Sequence, residues 1–553
     1  MESPNPFNIT KASDLTDEQI GQFWVGVTEK RSLDNLVKPK SSMPMLILGG
    51  KGSGKTHLMR FLSFTLQKLR HGVLLEEGLN KDKYLGIYFR CNGLNSNRFE
   101  GKNQSPETWQ SVFAYYYELW IAQLVIQNII DCKKSIPSLL HNENLLCNRI
   151  VNLFDKWNGI SKPQNLEDIL IECEALQKNI DLAVNNAALT GKIEGFSINV
   201  TPGKLIYGIP KLLCKHSNTL SKIQFLYLVD EFENLSECQQ KYVNTLLREK
   251  EIPSSFRIGA RLYGIKTQNT LSDNEKNKKG SEFEIFWIDE YFRNTISNYP
   301  KFVRQLVLKR INQTGMILGN DSSDRIDDYF EEFKEEETLS IVKGKYLNNN
   351  RPYIEKLRGE LKSAKISGFE EIVNNLIHES DLILERAGIL AFYRVWAKYS
   401  NNNLIDKSKE IQKDRILYKK DYKSSKIFRP IVEKFRKDIR DQILIECDIP
   451  IPYVGLDTFI DMSNGIPRVL LTILKNIYQW SIFNGEDPFR KGKISIESQL
   501  KGVNESSEWF FEDAEISGIE GKTVRDSIIR LARFLRIIRF ASAPPNVRFV
   551  LSA

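Results

Sequence analysis

The most constraining feature of this sequence is a short glycine-rich stretch, residues 49–56, which reads GGKGSGKT and fits the pattern G-x-x-x-x-G-K-[ST]. Such a loop cradles a phosphate only between a strand and a helix, because the loop amides and the helix N-terminus must face the anion. Residues 43–50 form an apolar run typical of a buried strand, and residues 55–69 carry apolar side chains at helical spacing. The stretch therefore predicts a nucleotide phosphate loop, with a glycine-rich turn that merely links two elements as the alternative.

The loop supplies most of the residues that we expect to contact a nucleotide. Lys55 is expected to reach the β- and γ-phosphates, and Thr56 is expected to offer its hydroxyl to Mg²⁺. ATP and Mg²⁺ are therefore the expected cofactors. The expected ATP contacts are Gly49, Gly50, Lys51, Gly52, Ser53, Gly54, Lys55, Thr56 and His57.

A pair of acids, Asp230 and Glu231, follows the strongest strand candidate of the chain, residues 223–229. Phosphoryl transfer depends mostly on charge neutralisation and positioning. We therefore expect Asp230 to hold the metal and Glu231 to orient or deprotonate the attacking water. The alternative is an ordinary acidic first turn of a helix. Glu233 is close enough in sequence to be confused with Glu231.

The order of strands and helices predicts an α/β fold with a parallel sheet covered by helices. Further strand candidates are residues 84–91, 256–265 and 283–288, and Ser236 has the form of a helix cap with a glutamine three residues later. Residues of about 95–220, between the second and third strand candidates, are expected to form a helical insertion.

Composition limits the class of protein. The chain has 553 residues and a net charge of +8, which is mild for this length, so an anionic partner would need a local basic patch. The longest apolar stretch is shorter than the ~20 residues of a membrane span. The seven cysteines include no CxxC pair, which argues against disulfides or zinc. We therefore expect a cytoplasmic protein with no membrane segment.

The two motifs together resemble those of P-loop NTPases. The paired acids after the strand are similar to those of AAA+ ATPases, and the stretch 230–267 resembles origin-recognition-complex-like (ORC-type) AAA ATPases. Gly465-Ile466-Pro467-Arg468 resembles the start of the lid helix that carries the sensor-2 arginine, and by this resemblance Arg468 would reach the γ-phosphate and act in catalysis. The alternative for this last motif is a helix start with a surface arginine.

The resemblance implies an ATPase with an AAA+-like core, and it also shows departures. No arginine lies between Leu262 and Tyr291, where the family would place an arginine finger that acts in trans. Arg257, Arg261 and Thr267 all remain candidates for the sensor on the fourth strand. The expected domains are an ATPase core at 1–310, a charged helical insertion at 311–444, a helical lid at 445–495 and a basic helical segment at 496–553.

The second half of the chain segregates its charges, with an acidic block at 321–340 and a basic block at 401–440. A helix predicted over residues 524–540 has an apolar stripe on one side and arginines on the other. A cationic face of this kind suits contacts with DNA phosphates, and the resemblance points the same way. The alternatives are a solvated face or pairing with the acidic block. The arginines are Arg525, Arg530, Arg533, Arg536 and Arg539.

Two functions fit these features. The first is an ATP-dependent conformational switch that acts on DNA or on a partner protein, and analogy places such proteins in bacterial antiviral defence. The second is a STAND-like signalling NTPase, in which ATP occupancy drives oligomerisation and the second half senses a ligand.

Overall fold

The computed structural model describes most of the chain. The described residues are 4–26, 33–157, 159, 162–272, 274–294, 298–315, 323–346, 350–399, 403–490, 492–513 and 519–541. They divide into two compact units, the first formed by Met1–Tyr329 with Leu456–Lys493 and the second by Phe330–Gly455 with Ile494–Ala553. The first unit thus contains the phosphate loop, the paired acids and the motif at 465–468.

A five-stranded parallel sheet forms the centre of the first unit, with the strand order β2-β3-β4-β1-β5. Its strands are apolar and mostly buried, as expected of a sheet that is covered on both faces. This arrangement confirms the predicted α/β class with a parallel sheet. The strands are β1 (Met45–Leu48), β2 (Tyr84–Arg90), β3 (Gln224–Asp230), β4 (Ser254–Ala260) and β5 (Glu284–Trp287).

The helices of the first unit cover this sheet and form a large addition between β2 and β3. They are α1 (Asp17–Gln22), α2 (Leu33–Leu36), α3 (Lys55–Leu62), α4 (Phe64–His71), α5 (Leu75–Asp82), α6 (Pro106–Ser135), α7 (Glu143–Val151), α8 (Leu166–Thr190), α9 (Lys204–Lys215), α10 (Glu237–Glu249), α11 (Ile288–Asn294), α12 (Asn298–Gln313), α19 (Leu456–Ser463) and α20 (Pro467–Phe483). The cap predicted at Ser236 is confirmed, because Ser236 and Gln239 form a reciprocal capping box at the start of α10.

The helix predicted over 55–69 is wrong in one respect, since it is broken into α3 and α4 at Ser63. Ser63 is extended and caps α4, its side chain accepting from the Leu66 amide. The strand β2 passes close by at Gly86, where a Cβ atom would lie 2.0 Å from the Leu62 carbonyl oxygen. The break is therefore a response to a long-range contact that helical spacing does not encode.

The helical insertion between β2 and β3 consists of α6–α9 and is fixed by a buried carboxylate. Glu118 of α6 accepts hydrogen bonds from the amides of Gly203, Leu205 and Ile206 at the start of α9, and from the Tyr242 hydroxyl of α10. Burial raises the pKa of Glu118, and these donors oppose that shift. Glu118 thus connects the helical insertion to α10, the helix that follows β3.

The second unit is helical in the residues described. It contains a buried ion pair in which Arg351 donates to Glu385 at 2.7 and 2.8 Å. Its helices are α13 (Glu335–Lys345), α14 (Pro352–Ser363), α15 (Phe369–Leu376), α16 (Leu382–Tyr399), α17 (Leu404–Lys420), α18 (Phe428–Glu446), α21 (Ile496–Asp513) and α22 (Ile519–Arg539). Across the described ranges of both units, no helix has the length and apolar character needed to cross a membrane.

Candidate nucleotide-binding site

The phosphate loop joins the end of β1 to the start of α3. Gly52 and Gly54 have φ angles of 87° and 104°, which L-residues with a side chain rarely adopt. A Cβ atom on Gly52 would also lie 2.5 Å from Cβ of Arg468. Position 52 therefore requires a glycine for two reasons: its left-handed backbone conformation and the close approach of the helix α20.

Lys55 is folded against its own loop. Its Nζ atom donates to the carbonyl oxygens of Gly49 and Gly50 at 2.8 and 2.9 Å. Burial lowers the pKa of Lys55, while the carboxylates of Glu233 and Asp230 oppose that shift. The ammonium group thus lies among acceptors and acids at the N-terminus of α3, within the loop that would hold phosphate oxygens.

Asp230 is the last residue of β3 and is only 1% exposed. It accepts hydrogen bonds from the hydroxyls of Thr56 and Tyr88, the latter at 3.1 Å. Burial raises the pKa of Asp230, and the two hydroxyl groups oppose the shift. The pairing of Thr56 with Asp230 brings the two expected magnesium ligands together. A hydroxyl and one carboxylate suit Mg²⁺, which completes its octahedral shell with water and substrate phosphates.

Glu231 follows with a left-handed backbone, at a φ angle of 57°, and forms an ion pair with Arg90 at 2.6 Å. Arg90 ends β2 and is the register partner of Asp230 on the neighbouring strand β3. The parallel pairing of β2 and β3 therefore places the Arg90 guanidinium group next to the Glu231 carboxylate, which the sequence predicts to activate water. Arg90 is a site residue that sequence reasoning missed, because strand register is not visible in the sequence.

Glu233, the other acid in this stretch, has a different partner. Its carboxylate lies 3.3 Å from Nε of Arg261, directly after β4, and it also accepts from the Arg261 amide at 3.3 Å. Arg257 points elsewhere: it is buried, and it donates to the carbonyl oxygens of Val37, Met43 and Ser41 among others. Of the two arginines that the sequence left open, Arg261 is therefore the one that contacts the acids following β3.

The turn before α20 packs on the loop from the other side. The Arg468 amide donates to the Gly52 carbonyl at 3.3 Å. Gly465 has a φ angle of 78° and lies against Asp289 and Arg293 of α11. Asp289 accepts from the Gly50 amide at 3.2 Å and pairs with Arg293 at 2.9 Å. Asp289 was also missed, although it follows the carboxyl end of β5 closely, as Asp230 stands at the carboxyl end of β3.

A cavity of about 360 Å³ connects these groups and is within the size range of small-molecule sites. Its lining includes residues 51–56 with Arg90, Asp230, Glu231, Glu233, Arg261 and Arg468. The rest of the lining comes mainly from the N-terminal segment, α11, α12 and α20. His57 lines the wall, but its Nε2 atom contacts the Ile20 carbonyl at 3.1 Å, and burial lowers its pKa to about 4. His57 is therefore neutral and tied to the N-terminal segment.

Comparison with protein families finds one model that matches, the ORC-CDC6-like family, over residues 5–552. The chain belongs to the ORC-CDC6-like family. This match spans both units and agrees with the predicted resemblance to ORC-type AAA ATPases. Comparisons of the ORC-CDC6-like chain with curated proteins and with solved structures give no match.

The second unit of this ORC-CDC6-like protein contains the arginine-faced helix α22. Arg539 pairs with Asp438 and Asp441 of α18 at 2.8 and 3.1 Å. Arg525 lies over the Phe511 ring at 4.7 Å. Arg530, Arg533 and Arg536 are exposed. Of the five predicted arginines, three are thus exposed, and Arg539 is paired with carboxylates of α18.

Proposed function

We propose that this ORC-CDC6-like protein binds ATP with Mg²⁺ at the phosphate loop, hydrolyses it, and uses the cycle as a conformational switch on DNA or a partner protein. One observation carries the proposal: Lys55, the Thr56–Asp230 pair and Glu231 line a single cavity, and the start of α20 lines it as well. The family, one of AAA+ ATPases, supports the same activity.

Each of these residues has a role in the proposed reaction. The loop amides and Lys55 bind and orient the phosphates, and Arg261 and Arg468 add positive charge where negative charge develops. Thr56 and Asp230 would hold Mg²⁺, which supplies further charge neutralisation when bound. Glu231 accepts the proton of the attacking water, or orients that water, once its carboxylate leaves Arg90. All of these groups come from one chain, so the phosphates can be neutralised in cis.

Contact between α20 and the phosphate loop gives the switch its physical basis. The Gly52 carbonyl accepts from the Arg468 amide, so a loop that rearranges around phosphates displaces the start of this helix. An ATPase assay with and without duplex DNA tests the proposal. Turnover that requires Lys55 and increases with DNA supports it, and absence of turnover with and without DNA contradicts it.

We expect Arg468→Ala to weaken ATP binding by about 10- to 100-fold and ADP binding far less, because only ATP offers a γ-phosphate to the guanidinium group. The variant keeps the backbone bond from residue 468 to Gly52, so the side chain alone is tested. Titration calorimetry with both nucleotides measures the effect, with Arg248→Ala on α10 as a matched control. Equal losses of affinity for ATP and ADP would show that Arg468 only forms part of the start of α20 and does not contact the γ-phosphate.

We expect the variant Arg530→Gln, Arg533→Gln, Arg536→Gln to bind duplex DNA more weakly and with a smaller salt dependence, by roughly 0.9 in the log–log slope for each lost phosphate contact. Glutamine keeps helix propensity while it removes the charge. Fluorescence anisotropy at several salt concentrations gives both quantities. Lys413→Gln, Lys419→Gln, Lys420→Gln on α17 is the control with equal charge loss. Wild-type affinity and slope in the α22 variant would remove this helix from DNA binding.

The STAND-like signalling function has one observation in its favour, a cavity of about 600 Å³ inside the second unit. Its walls are mostly apolar residues of α21, of α22 and of the stretch 445–453 at and after the end of α18, with Arg536 and Arg539 beside them. A pocket of this kind could hold a sensed ligand in the second half of the chain. Tight ATP binding without turnover, together with ATP-dependent oligomers in light scattering, would favour this function over the DNA-linked switch.

The proposed setting is antiviral defence in a bacterial cytoplasm. Phage challenge of cells that express the wild-type chain or Lys55→Ala tests it. Equal phage sensitivity of cells with the wild-type chain, with the variant and without either would contradict this setting.

A further inference from the structure

Arg310 of α12 is a buried cation that lines the same cavity as the phosphate loop. It is 4% exposed, and burial lowers its pKa to about 10. Its Nη1 atom donates to the Ile9 carbonyl at 2.9 Å, and its guanidinium group lies 4.0 Å from the centre of the Phe23 ring. Among the residues that the structure describes, no carboxylate pairs with it.

The hydrogen bonds of Arg310 are incomplete in a way that points to a ligand. Its Nε atom is buried and has no hydrogen-bond partner among the described residues. A buried donor without an acceptor is costly, and a buried charge without a counter-charge is more so. Such a group is satisfied when a bound molecule or an ordered water supplies the missing acceptor. Because Arg310 also lines the cavity, that molecule would be the one that occupies it.

The surroundings of Arg310 suit a flat heterocycle rather than a phosphate. The side chains of Phe23, Trp24 and Phe302 line the same cavity, together with aliphatic Leu306 and Leu471. Phe23 is in direct contact with Arg310, and a nucleotide whose phosphates lie on the loop could place its base against these side chains. A purine base offers ring nitrogens as acceptors at its edge, and its faces pack well on aromatic side chains.

We infer that Arg310 is the base-recognition residue of this protein: its guanidinium group donates to a ring nitrogen of a purine base whose triphosphate lies on the phosphate loop. The inference rests on the proposed nucleotide function. Ring nitrogens N3 and N7 are acceptors in both adenine and guanine, so a contact at either one does not separate ATP from GTP, whereas N1 is an acceptor only in adenine and a contact there would. Arg310 also holds the N-terminal segment through Ile9, which lets the bound base order that segment.

Arg310→Gln is expected to bind ATP about 10- to 100-fold more weakly, as for a lost hydrogen bond from a charged donor. Binding of magnesium tripolyphosphate, which has no base, should stay unchanged. Arg310→Lys should recover part of the ATP affinity because it keeps a charged donor. Lys309→Gln is the matched control, because Lys309 also bonds the N-terminal segment, at the Trp24 carbonyl, and does not line the cavity.

A panel of 1-deaza-, 3-deaza- and 7-deaza-ATP identifies the acceptor. One analogue should bind the wild type at least tenfold more weakly than ATP and bind Arg310→Gln no more weakly than ATP does. Three results would overturn the inference: wild-type ATP affinity in Arg310→Gln, an equal loss for tripolyphosphate, or an equal loss in Lys309→Gln. If the wild type binds neither ATP nor tripolyphosphate, the proposed nucleotide function fails instead, and the inference with it.

Discussion

Lys55→Ala is expected to weaken ATP binding by at least about 100-fold and to abolish turnover. Of the two lysines in the loop, Lys55 is the one that the motif assigns to the β- and γ-phosphates, and charge-assisted hydrogen bonds are the strong ones. In the structure its ammonium group donates to the carbonyl oxygens of Gly49 and Gly50 and, at 3.5 Å, to the Ser53 hydroxyl. The measurement is titration calorimetry with ATP and Mg²⁺, followed by a phosphate-release assay.

The fold should survive this substitution. The loop keeps backbone bonds of its own, from the Ser53 amide to the Gly50 carbonyl and from the Leu58 amide to the Gly54 carbonyl. The thermal midpoint and the circular dichroism spectrum should therefore match the wild type. Lys81→Ala on α5 is the matched control, an exposed lysine on a neighbouring helix. Unchanged ATP affinity in Lys55→Ala would disprove the assignment of the site.

Features that depend on neighbouring residues could be predicted from the sequence. Continuous apolar runs indicated the five strands, because strands buried on both faces need no alternation. The loop motif and the acids after β3 predicted which residues would meet, because both motifs end strands of one parallel sheet and therefore lie at the same edge. The structure places Lys55, Thr56, Asp230 and Glu231 together there.

Features that depend on register or on distant packing could not be predicted. Arg90 meets Glu231 because Arg90 is paired with Asp230 in register, and register between strands far apart in sequence leaves no local pattern. The helix predicted over 55–69 breaks at Ser63 because Gly86 of the strand β2 lies against the Leu62 carbonyl. Helical periodicity placed the arginines of α22 on one face but could not show that Asp438 and Asp441 neutralise Arg539.

Glu231→Gln is expected to keep ATP affinity within a few-fold of the wild type and to slow hydrolysis by about 100- to 10,000-fold, the usual contribution of a general base. The amide keeps the shape of the side chain, but it neither accepts a proton nor orients water through a negative charge. Single-turnover hydrolysis gives the rate, and calorimetry with the same variant shows that ATP still binds.

Glu233→Gln separates the two acids that the sequence left close together. Glu233 is bound by Arg261 and lies beside Lys55, so its loss changes the positive charge around the phosphates and should affect affinity more than rate. Glu231 accepts from Arg90 at one carboxylate oxygen and from Asn234 at the other, at 3.4 Å, and it directly follows Asp230. If Glu231→Gln hydrolyses ATP at the wild-type rate while Glu233→Gln does not, Glu233 is the base. The ion pair between Arg90 and Glu231 then has a structural role only.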